Sequence, residues 1–140
     1  VKNKARLSRV GAVAAATLLA GGAGLAGAEQ ASANSYGSMD TNQLMRLCES
    51  HGSRYWTMPD GTGSIEIPTE QVQYGSTGDC VAYAQRLLVN VTYSISVDGD
   101  FGSHTQAAVT SFQQSKLSVP ACGPADGVVG PRTWMCLEFY

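Results

Sequence analysis

The stretch Asp98-Gly99-Asp100-Phe101-Gly102-Ser103-His104-Thr105 returns as Asp126-Gly127-Val128-Val129-Gly130-Pro131-Arg132-Thr133, at an offset of 28 residues. Both copies read D-G-x-[apolar]-G-x-x-T, and both lead into a segment of helical periodicity. The Asp-Gly pair makes a tight turn that glycine enters without strain. The apolar residue, Phe101 or Val129, plugs the core beneath that turn. The second glycine lets the backbone pass close by. The threonine falls in the first turn of the next helix, near N–H groups that lack an intrahelical partner. Two copies predict two similar turn-to-helix corners, packed about a pseudo-twofold axis.

Working outward, Asp79 is placed to cap a helix in which Val81, Ala84, Leu88 and Val91 repeat at helical spacing, joined by Leu87. A second helix opens near Ser103 with the apolar stripe Thr105, Ala108, Val109 and Phe112. A loop through Pro120, Cys122 and Pro124 follows. The third helix starts at Pro131, a favoured first helical position, and presents Trp134 and Leu137. The fold class predicted is all-α: a compact three-helix bundle over residues 74–140 with two equivalent turn-helix corners, stapled by disulfides. Residues 34–73 read as a partly ordered extension. There Asp40 caps a short helix over Thr41–Glu49, Pro59-Asp60-Gly61 marks a turn, and Ser64–Ile67 alternates as a brief extended piece.

Residues 1–33 read as a signal peptide. Lys2, Lys4, Arg6 and Arg9 precede a run of Val, Ala, Leu and Gly from Val10 to Ala28, and Ala31-Ser32-Ala33 supplies a small-x-small cleavage pattern. A membrane span needs roughly 20 strongly apolar residues, and this run is diluted by five glycines. The expectation is a secreted protein, extracellular or cell-wall associated, with no membrane attachment after cleavage. Residues 34–140 hold five bases and ten acids, a net charge near −5. A nucleic-acid binder shows a basic face, so nucleic acid is excluded as a partner, and attachment to any polymer must come from shape, hydrogen bonds and stacking.

Four cysteines, Cys48, Cys80, Cys122 and Cys136, form an even set that reads as two disulfides in an exported chain. Three connectivities are open, of which Cys48–Cys80 with Cys122–Cys136 is favoured. No C-x-x-C spacing occurs, and His51 and His104 lack companion ligands at metal-site spacing, so neither metal nor cofactor is expected.

The ordered series Val81-Ala82-Tyr83-Ala84-Gln85-Arg86-Leu87-Leu88, Val97-Asp98-Gly99-Asp100-Phe101-Gly102 with Thr105, Ala108-Val109-Thr110-Ser111-Phe112-Gln113, and Asp126 through Trp134 with Leu137 resembles the peptidoglycan-binding domain carried by many bacterial wall hydrolases. The resemblance covers about residues 74–140. The link between Leu117 and Asp126 is longer than is usual in that family, and its extra piece holds Cys122. The resemblance implies non-catalytic recognition of peptidoglycan, through its stem peptide or its glycan, with a separate wall hydrolase as a further partner.

Polar residues beside the two corners, Asp100, Ser103, His104, Gln106 and Arg132, are the candidates for receiving a carboxylate-ended peptide near the helix starts. Trp134 has two readings, a buried packing residue or an indole open to a sugar face or an alanyl methyl. Tyr55 and Trp56 are adjacent aromatics in the extension. No catalytic residue is assigned. A glycosidase requires two carboxylates at a set separation across a cleft; a third, weaker reading is a small hydrolase with its carboxylates in the extension, such as Glu66 and Glu70, although neither G-x-S-x-G nor S-x-x-K occurs. Asp98-Gly99-Asp100 fails as a calcium loop because Val109 stands where a bidentate glutamate is required. The rival to wall binding is a secreted protein–protein interaction or inhibitor protein on the same scaffold. That rival gains if the extension packs over the two corners.

Overall fold

The computed structural model describes residues 35–140; the predicted signal peptide and its cleavage site lie outside the described residues. The chain runs through α1 (Thr41–Glu49), β1 (Ser53–Thr57), β2 (Ser64–Pro68), α2 (Asp79–Asn90), α3 (Ser103–Ser115), a 3-10 turn (Pro120–Cys122) and α4 (Pro131–Phe139). The all-α expectation is therefore corrected: among the described residues, helices α1 to α4 are joined by a two-stranded antiparallel sheet.

The hairpin pairs Ser53 with Pro68 through Thr57 with Ser64. The Pro59-Asp60-Gly61 signal is its loop, closed by Asp60 Oδ1, which accepts from the Thr62 N–H at 3.0 Å. Composition hid the first strand, because Ser53-Arg54-Tyr55-Trp56-Thr57 lacks a clean polar–apolar alternation. Its partner β2 is held by packing: Ile67 is fully buried and Ile65 rests against the core. A lone hairpin is marginal in water, and this one is stable because β2 lies against α1 and α4.

Helix α1 begins as expected. Asp40 accepts from the Gln43 N–H at 2.8 Å, and the Gln43 side chain accepts from the Asp40 N–H at 2.9 Å, a reciprocal cap. Its buried residues, Leu44 and Cys48, face α2. The start of α2 differs from expectation. Its N-cap is Gly78, with no side-chain cap bond, and Asp79 is inside the first turn. There Asp79 accepts from Tyr36 Oη at 2.8 Å and bonds His51 Nε2 at 3.1 Å, so tertiary partners have taken the carboxylate that local geometry would give to a cap.

The core is one cluster in which Tyr83, Phe101, Phe112, Val129, Trp134 and Leu137 are buried. Tyr83 stacks on Trp134 with ring centroids 5.6 Å apart. Disulfides join Cys48 to Cys80 and Cys122 to Cys136. The first ties α1 to α2, and the second ties the loop before the second corner to α4.

Candidate functional site

Each corner is organised by a buried glutamine. Gln85 on α2 and Gln113 on α3 are both 1% exposed. The Gln85 Nε2 donates to Asp98 Oδ1 at 2.8 Å, to the Asp100 carbonyl at 2.9 Å and to Thr105 Oγ1 at 3.0 Å. The Gln113 Nε2 donates to Asp126 Oδ1 at 3.1 Å, the Val128 carbonyl at 2.9 Å and Thr133 Oγ1 at 3.0 Å. The carboxamide oxygens accept from the Gly99 and Gly127 N–H groups, both at 2.9 Å. Asp98 and Asp126 each close their own turn by accepting from the N–H two residues on, at 3.0 Å.

These bonds explain the motif. Gly99 and Gly127 sit at φ +75° and +74°, where a side chain is strained. A Cβ on Gly99 would also meet the Tyr36 ring at 2.5 Å. The threonines do not cap their helices: Thr105 and Thr133 donate to the carbonyls of Asp100 and Val128 and accept from the glutamines. Their place in the first helical turn stands as read, but their partners are the turn and the core.

One segment spans both corners. Val72 pairs with Val129 and Thr77 with Asp100. The Val129 N–H donates to the Val72 carbonyl at 2.8 Å, and the Phe101 N–H to that of Ser76 at 2.9 Å. Residues 72–77 thus clamp the apolar plugs of both turns in place.

Outside the first corner lies a groove of about 820 Å³ between the α2–α3 connection and the start of α3. Tyr93, Ile95, Asp98, Asp100, Ser103 and His104 are among its walls, and no residue from 35–73 is. Thr92, also in its wall, has φ +80°, a conformation that a β-branched residue adopts only under constraint. Outside the second corner is a smaller hollow of about 310 Å³, bounded by Gln71, Pro124, Asp126, Arg132 and, from the hairpin, Trp56.

The expected site residues therefore divide. Asp100, Ser103 and His104 meet at the first groove. Gln106 lies apart from them, its Cγ 3.3 Å from where a Cβ on Gly127 would stand. Arg132 edges the second hollow. Trp134 is fully buried, its indole N–H donating to the Glu70 carbonyl at 2.7 Å, so its ring has no face open to a ligand. Tyr55 is 74% exposed, while Trp56 turns toward the core edge. Sequence reasoning assigned no role to Gln85 and Gln113. The signal was present, since each stands 13 residues before the aspartate it holds.

His51 bonds Glu70 through Nδ1 at 2.9 Å and Asp79 through Nε2 at 3.1 Å, which raises its pKa, the Glu70 bond contributing most. Burial and the Asp79 bond push the Tyr36 hydroxyl up to about 12. His51, Glu70 and Cys80 bring ligand-type atoms within 4.8 Å of one another, but the Cys80 sulfur is bonded to Cys48 and offers no thiolate.

Two glutamine-locked turn-helix corners on a disulfide-bonded helical core thus frame the two hollows. The family described as "Putative peptidoglycan binding domain" matches residues 77–137, which contain both corners. Residues 77–137 form a domain of this peptidoglycan-binding family. It is 33% identical to the "Uncharacterized protein in bpoA1 3'region" of Kitasatospora aureofaciens over 133 residues, 94% of this chain and 91% of that protein. Among solved structures it is similar to the Burkholderia AP3 phage endolysin, at 34% identity and TM-score 0.43, over 49% of this chain and 25% of the endolysin. It is also similar to a peptidoglycan-binding protein from Clostridioides difficile solved with glutamine hydroxamate, at 31% identity and TM-score 0.45, over 61% of this chain and 56% of that one.

Proposed function

We propose that the protein is a secreted, non-catalytic module that attaches to peptidoglycan through the groove outside its first corner. The observation that carries this reading is the groove itself. It lies within the family-matched segment, it is of ligand size, and it gathers the exposed Asp100, Ser103 and His104 beside the half-buried Ile95. Hydroxyl, carboxylate and imidazole groups around an apolar floor suit the hydroxyls and amides of a glycan strand or stem peptide. Two disulfides support an extracellular or wall-associated location.

Hydrolysis has no support in the carboxylates once considered for it. Glu66 accepts from the Ser53 hydroxyl and Glu70 is held by His51, both in structural contacts of the N-terminal segment. The rival reading, an inhibitor or protein-interaction surface, draws on Trp56, which the hairpin lays beside the second corner. The extension does touch the first corner, where the Tyr36 ring lies against Gly99, but none of residues 35–73 lines the first groove, and wall attachment through that groove is favoured for that reason.

The test is co-sedimentation of the oxidised protein with purified insoluble peptidoglycan. Wild type should pellet with the wall, and a D100A/H104A double variant of unchanged thermal stability should lose about tenfold in affinity. Wild-type protein left in the supernatant, or an unaffected double variant, overturns the proposal. Clearing of a turbid wall suspension by the protein alone overturns its non-catalytic part.

A further inference from the structure

The two corners share a skeleton but not a chemistry. Where the first carries Asp100, Ser103 and His104, the second carries Val128, Pro131 and Arg132 at the same motif positions. The first groove is lined by two aspartates and no arginine or lysine. The second hollow has Arg132 at its edge and Trp56 as a wall, and a second guanidinium, that of Arg54, lies 5.7 Å from the centroid of the Trp56 ring.

Neither arginine has a carboxylate partner among the described residues, whose ion pairs are both made by His51. That is notable in a segment with twice as many acids as bases. The one carboxylate in the hollow, Asp126, is engaged by its Oδ1 to Gln113 and to the Val128 N–H. The arginine is also positioned: the Cβ and Cδ of Arg132 lie 3.3 and 3.4 Å from where a Cβ on Gly123 would stand. Its aliphatic stem thus runs over a glycine in the loop that the Cys122–Cys136 bond holds to α4. Pro124 and Pro131 add small apolar surface.

We propose that this hollow, built jointly by the N-terminal hairpin and the second corner, binds the carboxylate end of a short peptide with small side chains. Arg132 meets the carboxylate, and the Trp56 ring and the prolines meet a methyl. The stem peptide of the wall is the source, which rests on the wall-binding reading; the preference for a carboxylate does not. Guanidinium–carboxylate pairing supplies the selectivity, and the hollow is at the small end of the ligand-site range, enough for one or two residues.

The experiment is a titration of the intact oxidised protein with N-acetyl-D-alanyl-D-alanine and with its C-terminal amide, followed by the indole N–H signals in a ¹H–¹⁵N spectrum. The protein has two tryptophans, so Trp134, buried and bonded to Glu70, is an internal control. The Trp56 signal should shift saturably with the acid, while Trp134 stays still. The amide and an R132Q variant should each weaken the response about tenfold. No shift at Trp56, or equal shifts with acid and amide, overturns the proposal. The D100A/H104A variant should respond like wild type here. Failure of wall co-sedimentation with a normal Trp56 response would therefore remove the wall as source and leave the carboxylate pocket standing.

Discussion

Gln85 and Gln113, 28 residues apart in the chain, hold equivalent places: each carboxamide nitrogen lies 3.0 Å from the threonine hydroxyl of its own corner, and each carboxamide oxygen accepts from the glycine of that corner's turn at 2.9 Å. A fully satisfied polar side chain in an apolar centre specifies one arrangement of the chain, because any slip leaves several buried groups unpaired.

Removing one such lock should therefore be costly. Gln113→Leu roughly keeps the volume but strands the Gly127 N–H and removes one of the two donors to Asp126 Oδ1. We expect a loss of about 2–3 kcal/mol in urea unfolding of the oxidised protein. A loss under about 0.5 kcal/mol, ordinary for surface substitutions, would mean that the network is incidental.

The two disulfides should not be equivalent in effect. Cys48–Cys80 spans 32 positions and Cys122–Cys136 spans 14. On the chain-entropy argument the longer loop contributes about 3.5 kcal/mol and the shorter about 3 kcal/mol. Loss of the first also releases α1 and the hairpin from α2, so a C48S/C80S variant should become sensitive to limited proteolysis between Ser50 and Gln73. Cleavage patterns matching wild type would show that packing alone retains the hairpin.

Glu138 on α4 gives a pH signature. Burial, with smaller contributions from Glu49 and Glu66, raises its pKa to about 7 against 4.5 in the open chain, even though a bond from Tyr83 works the other way. A carboxyl with a raised folded pKa binds its proton more tightly when folded, so its contribution falls as pH rises from 4.5 to about 7. Glu138→Gln should then match wild type near the lower limit and exceed it above the upper one. We expect a gain of about 1–2 kcal/mol, the full linkage value being reduced because the side chain keeps some solvent contact. Denaturant midpoints at several pH values check this; a pH-independent difference between the two proteins would contradict it.

His51 should act over a neighbouring window. Its pKa is raised by Glu70 first and then by Asp79, so its stabilisation is complete below about 6.5 and is lost as pH climbs through the higher folded value. The bridge joins the residues after the hairpin to the start of α2. His51→Ala should lower the thermal midpoint in mildly acidic solution and converge on wild type in mildly alkaline solution. Direct titration of the His51 ring by NMR with a midpoint below 6.5 would refute the assignment.

The helical half was legible because its information is local and periodic. The repeated D-G-x-[apolar]-G-x-x-T motif, the apolar stripe from Thr105 to Phe112 and the proline at the start of α4 report conformations that neighbouring residues decide. The capping pair of Asp40 and Gln43 was half visible for the same reason. Asp100, Ser103 and His104 line one groove because they lie within five consecutive residues at a single turn-to-helix corner.

What lies beyond those residues was decided by contacts between distant segments. β1 is a strand because β2 pairs with it and the core accepts Ile67, not because its own residues alternate. Asp79 left the cap for Tyr36 and His51, which are 43 and 28 positions away. Trp134 is shut in by Tyr83 and Glu70, and its competing readings, packing or contact, differ only in what lies across the ring. Trp56 reaches the second corner from an otherwise separate hairpin. Periodicity encodes the conformation of a segment. It carries no record of which segment will cover it, since burial is a property of surfaces that meet only once the chain has folded.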